Sequence, residues 1–410
     1  MEKSFRMELA GRPLIVETGK MAKQASGAVL VRYGETVVLV TSTASKEARE
    51  GMDFFPLTVD YEEKMYAVGK MPGGFLRREG RPGNSAILNA RLIDRPIRPL
   101  FDKRCRNDIH VMATVLSVDY DNAPELCGML GASASLGISD IPWDGPIAGV
   151  RVGRIDGQFV INPTQEQLKV STLNITVAGS ETAILMVEGG AQEAPEEDVL
   201  DAIMFGHETI KELVAFQKKI IEEVGKPKRT LIFPEIPEEI KTAIYAYAER
   251  PLKEAIFNPD KLTREAHMEE VRKEAEAHFK EIYPENGSDI AECLNHLTKE
   301  IVRHMISVDK IRPDGRALDE IRPISCEVGL LPRVHGSALF TRGQTQALTI
   351  TTLAPMSETQ IIDDLTQETE KRYIHQYNFP SYSVGETKSS RGPGRREIGH
   401  GALAERALIP

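Results

Sequence analysis

The chain has 410 residues, of which 41% are hydrophobic and 27% are charged, and its formal net charge is −10. This length exceeds what one hydrophobic core organises, so we expect two or three domains of ordinary globular composition. The sequence has no run of eighteen apolar residues and no apolar leader at its start, which argues against a membrane span and a secretory signal. The acidic balance argues against a protein that binds nucleic acid over its whole surface.

The cysteines are far apart and form no CxxC pair, a pattern typical of reduced, buried thiols in a cytosolic protein rather than of a zinc site. They are Cys105, Cys127, Cys293 and Cys326. Histidines near carboxylates in the middle of the chain suggest a metal site, but we interpret them as parts of solvated helix faces. These histidines are His267, His278, His296 and His304.

The first part of the chain reads mainly as strands. Two β-branched runs in 27–44 surround the turn signal at 32–35 and predict a hairpin. Small residues over 126–136 predict a helix that lies flat on a sheet, and further strand pairs follow over 145–164, with a turn at Asp156-Gly157, and over 173–190. A long amphipathic helix is predicted over 194–225, opened by proline and acids at 194–197 and stopped by Gly225 and Pro227. Strands followed by helices predict an α+β domain over residues 1–228.

Residues 229–308 are charged and poor in β-branched runs, which predicts an all-helical domain. One helix is marked by apolar residues that share a face, with Ser288 as its expected N-cap. These apolar residues are Ile290, Leu294, Leu297, Ile301 and Met305.

Strand signals resume near residue 320, and the segment 17–44 is repeated at 327–353 with one gap. Glycines coincide in the two segments: Gly19 with Gly329, Gly27 with Gly336, and Gly34 with Gly343. The repeat predicts a duplicated α+β core around the helical domain, with residues 309–410 as the opening part of the second copy.

Two loops carry Arg-Arg-Glu among glycines, GGFLRREGRPG at 73–83 and RGPGRREIGHG at 391–401. We interpret them as copies, with Arg77 matching Arg395 and Arg78 matching Arg396. Paired guanidinium groups on a glycine loop suit bidentate recognition of phosphate. The alternative is that these arginines are surface residues paired with Glu79 and Glu397.

The first loop opens a strongly basic stretch, since residues 77–106 contain nine arginines and lysines against three acids. Arg91, Arg95 and Arg98 follow helical spacing, although Pro96 limits the regularity of a helix there. A row of cations suits a polymeric anion better than one small ligand, which weakens the alternative of a phosphate-binding metabolic enzyme. Phe75, among glycines, is expected at a loop tip where a nucleobase can stack on it.

These motifs, together with ARLIDRPIRPLF at 90–101 and HQYNFPSYSVGET at 375–387, resemble the bacterial polynucleotide phosphorylase family over the whole chain. The resemblance implies an α+β fold with duplicated RNase PH-like (ribosomal protein S5 domain 2-like) cores and an all-α domain between them. It also implies KH and S1 RNA-binding domains after the second core. The implied activity is 3′→5′ phosphorolysis of RNA to nucleoside diphosphates in mRNA degradation, or the reverse polymerisation.

By the same resemblance, Arg395, Arg396 and His400 are the expected catalytic residues, and the arginines hold the attacking phosphate and the scissile phosphodiester. The expected RNA-binding residues are Phe75, Arg77, Arg78, Arg91, Arg95 and Arg98, although Leu76 stands where the family often has a second phenylalanine. The implied partners are single-stranded RNA, two identical subunits in a homotrimer and an RNA-degradation complex, in the cytoplasm and without membrane contact.

The family also implies Mg²⁺ or Mn²⁺ and inorganic phosphate, with the metal carboxylates and a serine-rich phosphate loop expected beyond residue 410. In the first core, Leu173 and Asn174 stand at the corresponding strand and offer no carboxylate, so that core is expected to be non-catalytic. Asp363 and Asp364 would point to opposite faces of a strand, and we prefer a structural or RNA-proximal loop for them. The alternative function is therefore a non-catalytic RNA-binding ring or scaffold fragment, and the 410-residue chain alone is expected to be inactive.

Overall fold

The computed structural model describes residues 2–48, 54–231, 236–367, 370–387, 389 and 391–409. Contacts divide the chain into two compact units, one formed by Met1–Ile232 with Met356–Pro410 and the other by Phe233–Pro355. The end of the second copy therefore groups with the first core. The predicted domain boundaries after residues 228 and 308 stay predictions.

A six-stranded sheet forms the base of the first unit, in the order β1-β2-β3-β4-β6-β5. Only β5 and β6 run parallel, and the other neighbours are antiparallel. The strands are β1 (Lys3–Leu9), β2 (Arg12–Thr18), β3 (Gly27–Tyr33), β4 (Thr36–Ala48), β5 (Leu57–Glu63) and β6 (Asn107–Ser117). The predicted hairpin is confirmed, because β3 and β4 pair from Tyr33 and Thr36 outward and Gly34 takes the positive φ of 59° that the tight turn requires.

A second, antiparallel sheet has the order β10-β9-β7-β8. Its strands are β7 (Ala148–Ile155), β8 (Gln158–Ile161), β9 (Leu173–Gly179) and β10 (Ile184–Ala191). The predicted turn is confirmed, because Asp156 and Gly157 both have positive φ between β7 and β8. The helices of this unit are α1 (Asn84–Ile97), α2 (Pro124–Ile138), α3 (Gln165–Val170), α4 (Glu196–Val224) and α8 (Arg395–Leu408).

Helix α2 lies at the centre of the first unit, where every residue from Leu126 to Ile138 is buried. Its small residues let it approach the sheet closely. A Cβ added to Gly131 would lie 2.4 Å from Val40 Cγ2 on β4, and one added to Gly27 on β3 would lie 2.0 Å from the backbone oxygen of Ser135. The predicted flat helix of small residues is thus confirmed, and glycine on both elements is what permits the contact.

The chain after α4 is tied to the end of α2. The Lys228 ammonium donates to the backbone oxygens of Leu136, Gly137 and Ser139 at 2.8–2.9 Å, and Arg229 pairs with Asp140 at 2.6 Å. Carbonyl groups at a helix C-terminus lack partners within the helix, so Lys228 satisfies acceptors that would otherwise lack a partner.

The second unit contains α5 (Glu238–Ile256), α6 (Lys261–Ile282) and α7 (Gly287–Ser307), followed by the antiparallel sheet β11 (Ile324–Val328), β12 (Gly336–Arg342) and β13 (Thr345–Thr351). The predicted apolar face of α7 is buried in the helical core. The four histidines of this region are exposed, as expected, and His278 stacks on Tyr247 with ring centroids 4.7 Å apart. In the described part of the chain, no helix has the length and apolarity needed to cross a bilayer.

Two sequence predictions about this unit were wrong. Helix α7 begins at Gly287 with Asn286 at the N-cap, not Ser288, and the Asn286 amide donates to Asp289 at 2.7 Å. Cys326 is exposed, whereas the other three cysteines are buried as expected. The reason is that every residue of β11, on which Cys326 lies, is exposed.

Candidate functional site: two related helix starts and an exposed arginine loop

The repeat is visible in the backbone as well as in the letters. A 3-10 helix over Met65–Val68 ends at Gly69 with φ 68°, and its counterpart over Ser381–Val384 ends at Gly385 with φ 72°. Helices α1 and α8 then follow, each of 14 residues and each with a glycine N-cap, Gly83 or Gly394. These shared landmarks give a structural alignment of the two copies that does not depend on side-chain identity.

This alignment corrects the predicted pairing of the two arginine loops. Arg395 and Arg396 are the first two residues of α8, so their counterparts at the start of α1 are Asn84 and Ser85. Arg77 and Arg78 lie in the loop before α1. They therefore do not correspond to Arg395 and Arg396, which lie inside α8. The two Arg-Arg-Glu sequences are therefore not copies. The predicted pairing relied on identical residues in the two sequences. The position of the helix N-cap is a stronger structural constraint, and it gives a different alignment.

The first loop projects its apolar tip into solvent. Phe75 is 100% exposed and Leu76 is 82% exposed, so the expectation that Phe75 lies at a tip is confirmed. Arg77 has a positive φ of 49°, its N–H donates to Gly74 O at 2.9 Å, and in the described part of the chain its guanidinium has one long contact, 3.5 Å to Pro72 O. Within the described residues the Arg78 guanidinium has no hydrogen-bond acceptor. The loop thus presents an aromatic ring and two cations together.

The glutamates of both motifs serve the backbone. Glu79 accepts from its own N–H and from the Met65 N–H, and these bonds, with Lys64 and Arg78 nearby, lower the pKa of Glu79 despite some desolvation. Glu397 accepts from the N–H groups of Gly394 and Phe379, both at 2.8 Å. Hydrogen bonds to an ionised carboxylate stabilise the ionised form. Each glutamate, by accepting from backbone N–H groups, also stabilises the conformation of its loop.

The predicted helical arginines lie on α1 and its end. The helix passes through Pro96 and tightens at Arg98 into a 3-10 turn, so the expected irregularity comes after the proline. Arg91 lies against α8, since a Cβ on Gly399 would be 2.4 Å from its Nε. Arg95 pairs with Glu188 on β10 at 2.6 Å, while Arg98 pairs with Asp94 at 2.8 Å. The three arginines thus contact three different neighbours, and their role as a row of RNA contacts stays a prediction.

At the start of α8, the two arginines have different surroundings. The Arg395 guanidinium donates to the backbone oxygen of Val59 at 2.6 Å and to the carboxylate of Asp60, both on β5. The Arg396 guanidinium, by contrast, has no acceptor among the described residues and is exposed. His400 follows one turn later, with its ring edge-on to Tyr377 at 5.3 Å. The N-terminal end of the helix adds a positive potential there, which favours an anion.

Asp60 joins two partners, Arg395 and His110. Its second oxygen lies 2.9 Å from His110 Nε2 on β6. Burial would raise the pKa of Asp60, but the hydrogen bonds and charges of Arg395 and His110 outweigh it, so the pKa is lowered. Asp60 therefore stays ionised beside Arg395. The sequence analysis missed this residue, because a lone aspartate on a strand carries no signal of a partner more than three hundred positions away.

The acidic pair Asp363 and Asp364 lies in a loop, as preferred, after β14 (Gln360–Ile361), which pairs with the short strand β15 (Glu370–Lys371). The loop packs closely against the first core, since a Cβ on Gly73 would be 2.7 Å from Asp363 Oδ2. Lys70 donates to the backbone oxygen of Asp364 at 3.2 Å. The loop placement is confirmed.

This packing places Asp364 near a buried carboxyl on β5. Burial raises the pKa of Glu63 to about 7, opposed by a hydrogen bond from Ser85 and supported by the negative charges of Asp364 and Glu125. Ser85 is the first-copy counterpart of Arg396. Where α8 has the Arg396 guanidinium, which has no acceptor among the described residues, α1 has the Ser85 hydroxyl. That hydroxyl donates to the Glu63 carboxyl at 2.9 Å.

The Glu63 carboxyl predicts a pH-dependent stability. Because its pKa is higher in the folded than in the unfolded state, its stabilising effect is present below the unfolded value and is lost as pH rises through about 7. We therefore expect the unfolding temperature of Glu63→Gln, minus that of the wild type, to increase from pH 5 to pH 8. Thermal melts at four or five pH values measure it, and parallel curves would contradict the assignment.

The family resemblance implies a divalent cation, which needs several ligating side chains in one place. Among residues 2–48, 54–231, 236–367, 370–387, 389 and 391–409, no group of three or more His, Cys, Asp or Glu side chains is arranged to hold a metal ion. Asp363, Asp364 and Glu63 do not form one. The described residues therefore do not fit the cation.

Comparison with known proteins agrees with this organisation. Residues 10–142 and 320–410 match the model of the 3′ exoribonuclease family, domain 1, and residues 145–209 match its domain 2. The chain belongs to the 3′ exoribonuclease family. Residues 239–317 match the polyribonucleotide nucleotidyltransferase RNA binding domain.

Curated relatives include the polyribonucleotide nucleotidyltransferases of Heliobacterium modesticaldum, 60% identical over 406 residues, and of Geobacillus kaustophilus, 57% identical over 408 residues. Each alignment covers 99% of this chain, and the chain spans 57% and 56% of these relatives. The resemblance to bacterial polynucleotide phosphorylases is therefore confirmed, as is the fold class of RNase PH-like cores with a helical domain. The crystal structure of rice Rrp46 is a distant match, with 14% identity, a TM-score of 0.41, and coverage of 54% of this chain and 94% of that one.

Proposed function

We propose that this chain is the N-terminal part of a phosphorolytic 3′→5′ exoribonuclease, a polyribonucleotide nucleotidyltransferase that converts RNA(n+1) and phosphate into RNA(n) and a nucleoside diphosphate. The observation that carries the proposal is the Arg396 guanidinium at the positive end of α8, which has no acceptor among the described residues and lies beside Arg395 and one turn from His400. The names of the curated relatives support the same activity. Its role in mRNA degradation is part of the proposal.

The chemistry requires two anions to approach each other. An oxygen of inorganic phosphate attacks the phosphorus of the terminal phosphodiester, the bond to the 3′-oxygen of the penultimate nucleotide breaks, and that oxygen takes up a proton. The Arg396 guanidinium and the remaining N–H groups of Arg395 both bind the attacking phosphate, and Arg395 also faces the scissile phosphate. This arrangement lowers the repulsion between the anions, which is the main task in phosphoryl transfer. His400 lies on the same helix face and contacts one of the two phosphates.

RNA reaches this site along the first loop in our proposal. Phe75 stacks with a base and Arg77 and Arg78 bind backbone phosphates, since none of the three side chains is committed to the protein interior. Arg91, Arg95 and Arg98 remain predicted RNA contacts. Arg95 and Arg98 would have to share their carboxylate partners with phosphate, so we expect smaller contributions from them.

Replacing Arg77 and Arg78 together with alanine is expected to weaken single-stranded RNA binding and to lower its salt dependence. Removing two cations that each neutralise one phosphate of a single strand reduces the slope of log K against log salt by about 1.4. Fluorescence anisotropy with labelled oligo(A) at several salt concentrations measures the slope. The matched control removes two cations from α4, Lys211 and Lys219, and is expected to keep the wild-type slope. An unchanged slope in the loop variant would remove the loop from the RNA path.

The second candidate is a non-catalytic RNA-binding fragment, which the lack of a metal-ligating group among the described residues favours for this chain alone. We therefore expect the 410-residue chain to bind RNA without shortening it. Homotrimer formation, an RNA-degradation complex, Mg²⁺ or Mn²⁺ as the cofactor and a cytoplasmic location also belong to the proposal and rest on the family resemblance and the cysteine usage.

The proposal is tested with oligo(A) labelled within its 3′-terminal nucleotide, magnesium and phosphate. The substrate is given to this chain, to a protein extended to the length of its relatives, and to the Heliobacterium modesticaldum relative as a positive control. Labelled nucleoside diphosphate formed only when phosphate is present supports phosphorolysis. Nucleoside monophosphate formed equally without phosphate would refute it, and shortening by the 410-residue chain would refute the non-catalytic candidate.

A further inference from the structure

The contact between Arg395 and β5 is a cross-copy contact. Arg395 belongs to the second copy, whereas its two acceptors, Val59 O and the Asp60 carboxylate, belong to the first. The side-chain pair is half-exposed, with 45% of the Arg395 and 30% of the Asp60 side chain accessible. Such a pair contributes little to stability in water, so its effect is to be sought in geometry.

The hydrogen bonds of Arg395 hold its side chain without using all of its donors. A guanidinium has five N–H donors. One Nη1 and one Nη2 donor bind Val59 O and Asp60, and three donors remain for an incoming anion. The two acceptors lie on adjacent residues of one strand, so they fix the plane of the fork and the direction of its free edge.

Asp60 is itself held in place. Its other oxygen is bonded to His110 Nε2 at 2.9 Å, and β5 and β6 pair in parallel with Thr58 opposite His110. The hydrogen bonds from His110 through Asp60 to Arg395 therefore connect the six-stranded sheet to the start of α8.

Among the described residues, no equivalent contact forms with the roles of the two copies exchanged. Counting back from the matched glycines Gly69 and Gly385, the second-copy counterpart of Asp60 is Gln376, and the counterpart of Arg395 is Asn84. Neither charge is present there. The ion pair thus exists only where the second copy has its arginines.

We propose that Asp60, supported by His110, is a positioning residue for Arg395, by which the first core orients the phosphate-binding fork of the second. The inference rests on the proposed function. Asp60 does not touch the phosphate but restricts the rotamers of the guanidinium that does. Because a free arginine side chain loses considerable conformational entropy on binding, orienting it beforehand strengthens the complex.

A competing role for Asp60 is inhibition, in which its charge occupies the fork and must be displaced by phosphate. The two roles differ in what substitutions do. Asn keeps the acceptor oxygen and removes the charge, whereas Ala removes both. If Asp60 positions Arg395, Asp60→Ala weakens phosphate binding about five- to tenfold, and Asp60→Asn binds phosphate as tightly as the wild type or tighter. If Asp60 inhibits, both variants bind phosphate more tightly.

Equilibrium dialysis of the 410-residue chain with radiolabelled inorganic phosphate measures this directly and does not depend on turnover. Asp198→Ala is the control, since it breaks another partly exposed aspartate–arginine pair, between α4 and β7, and wild-type binding is expected. Thermal melts confirm that each variant is folded. Equal or tighter binding by Asp60→Ala would overturn the inference alone. Absence of phosphate binding by the wild-type 410-residue chain at millimolar concentrations would overturn this inference together with the phosphate site at the start of α8, whereas the proposed function is decided by the oligo(A) assay on the extended protein.

Discussion

Arg396→Ala is expected to weaken phosphate binding about 10- to 100-fold. Hydrogen bonds to a charged group contribute about 1.5–3 kcal/mol, and each 1.4 kcal/mol is a factor of ten in affinity. The effect is large because Arg396 has no acceptor among the described residues, so its whole donor set is available to the ligand. In the extended protein the same substitution should raise the phosphate concentration needed for half-maximal rate by a similar factor.

Two further variants sharpen this result. Arg396→Lys keeps the charge and loses the planar fork, so partial recovery is expected. Arg250→Ala removes an arginine whose side chain is 90% exposed on α5 and should leave phosphate binding unchanged. A wild-type phosphate affinity in Arg396→Ala would show that the free guanidinium at the start of α8 is not the phosphate ligand.

Gly27→Ala is expected to destabilise the first unit by about 3 kcal/mol, the upper part of the usual range for overpacking. The added Cβ would lie 2.0 Å from the backbone oxygen of Ser135 and 3.0 Å from Ser139 Cβ. A backbone oxygen inside a helix cannot rotate away as a side chain would, so either β3 or α2 must shift. A melt of the whole chain should show a drop of roughly 6–12 °C in the transition of this unit.

The repeat supplies the control. Gly336 is the matching glycine of the second copy, where an added Cβ would meet Thr351 Cβ at 3.5 Å, an ordinary van der Waals contact. Gly336→Ala is therefore expected to change stability by less than about 0.5 kcal/mol. Equal destabilisation by the two substitutions would contradict the close packing of α2 on β3.

Patterns with a local physical cause were predicted well from the sequence. The hairpin at Gly34, the turn at Asp156 and the limits of α4 at Pro195 and Gly225 all depend on residues next to one another, and the structure confirms them. The buried face of α7 follows from helical periodicity alone. The small-residue helix α2 was also predicted, because small side chains over several turns allow a helix to pack closely against a sheet.

Features that depend on distant parts of the chain were not predictable. The start of α8 relative to α1 required the N-cap glycines, Gly83 and Gly394, and the letters Arg-Arg-Glu pointed to a different alignment. Asp60 lies 335 positions from Arg395, and no spacing rule connects them. The exposure of Cys326 likewise depends on what covers β11, which a cysteine in a strand pattern does not reveal.

The central claim is that phosphate binds at the start of α8 and not at the related start of α1. Crystals of the chain soaked in phosphate, or in the heavier tungstate as an anomalous marker, test it most directly. We predict an anion within hydrogen-bonding distance of the Arg396 guanidinium and the first N–H groups of α8, with Arg395 still bonded to Asp60. An anion bound at Asn84 and Ser85 instead, with the α8 site empty, would contradict the account.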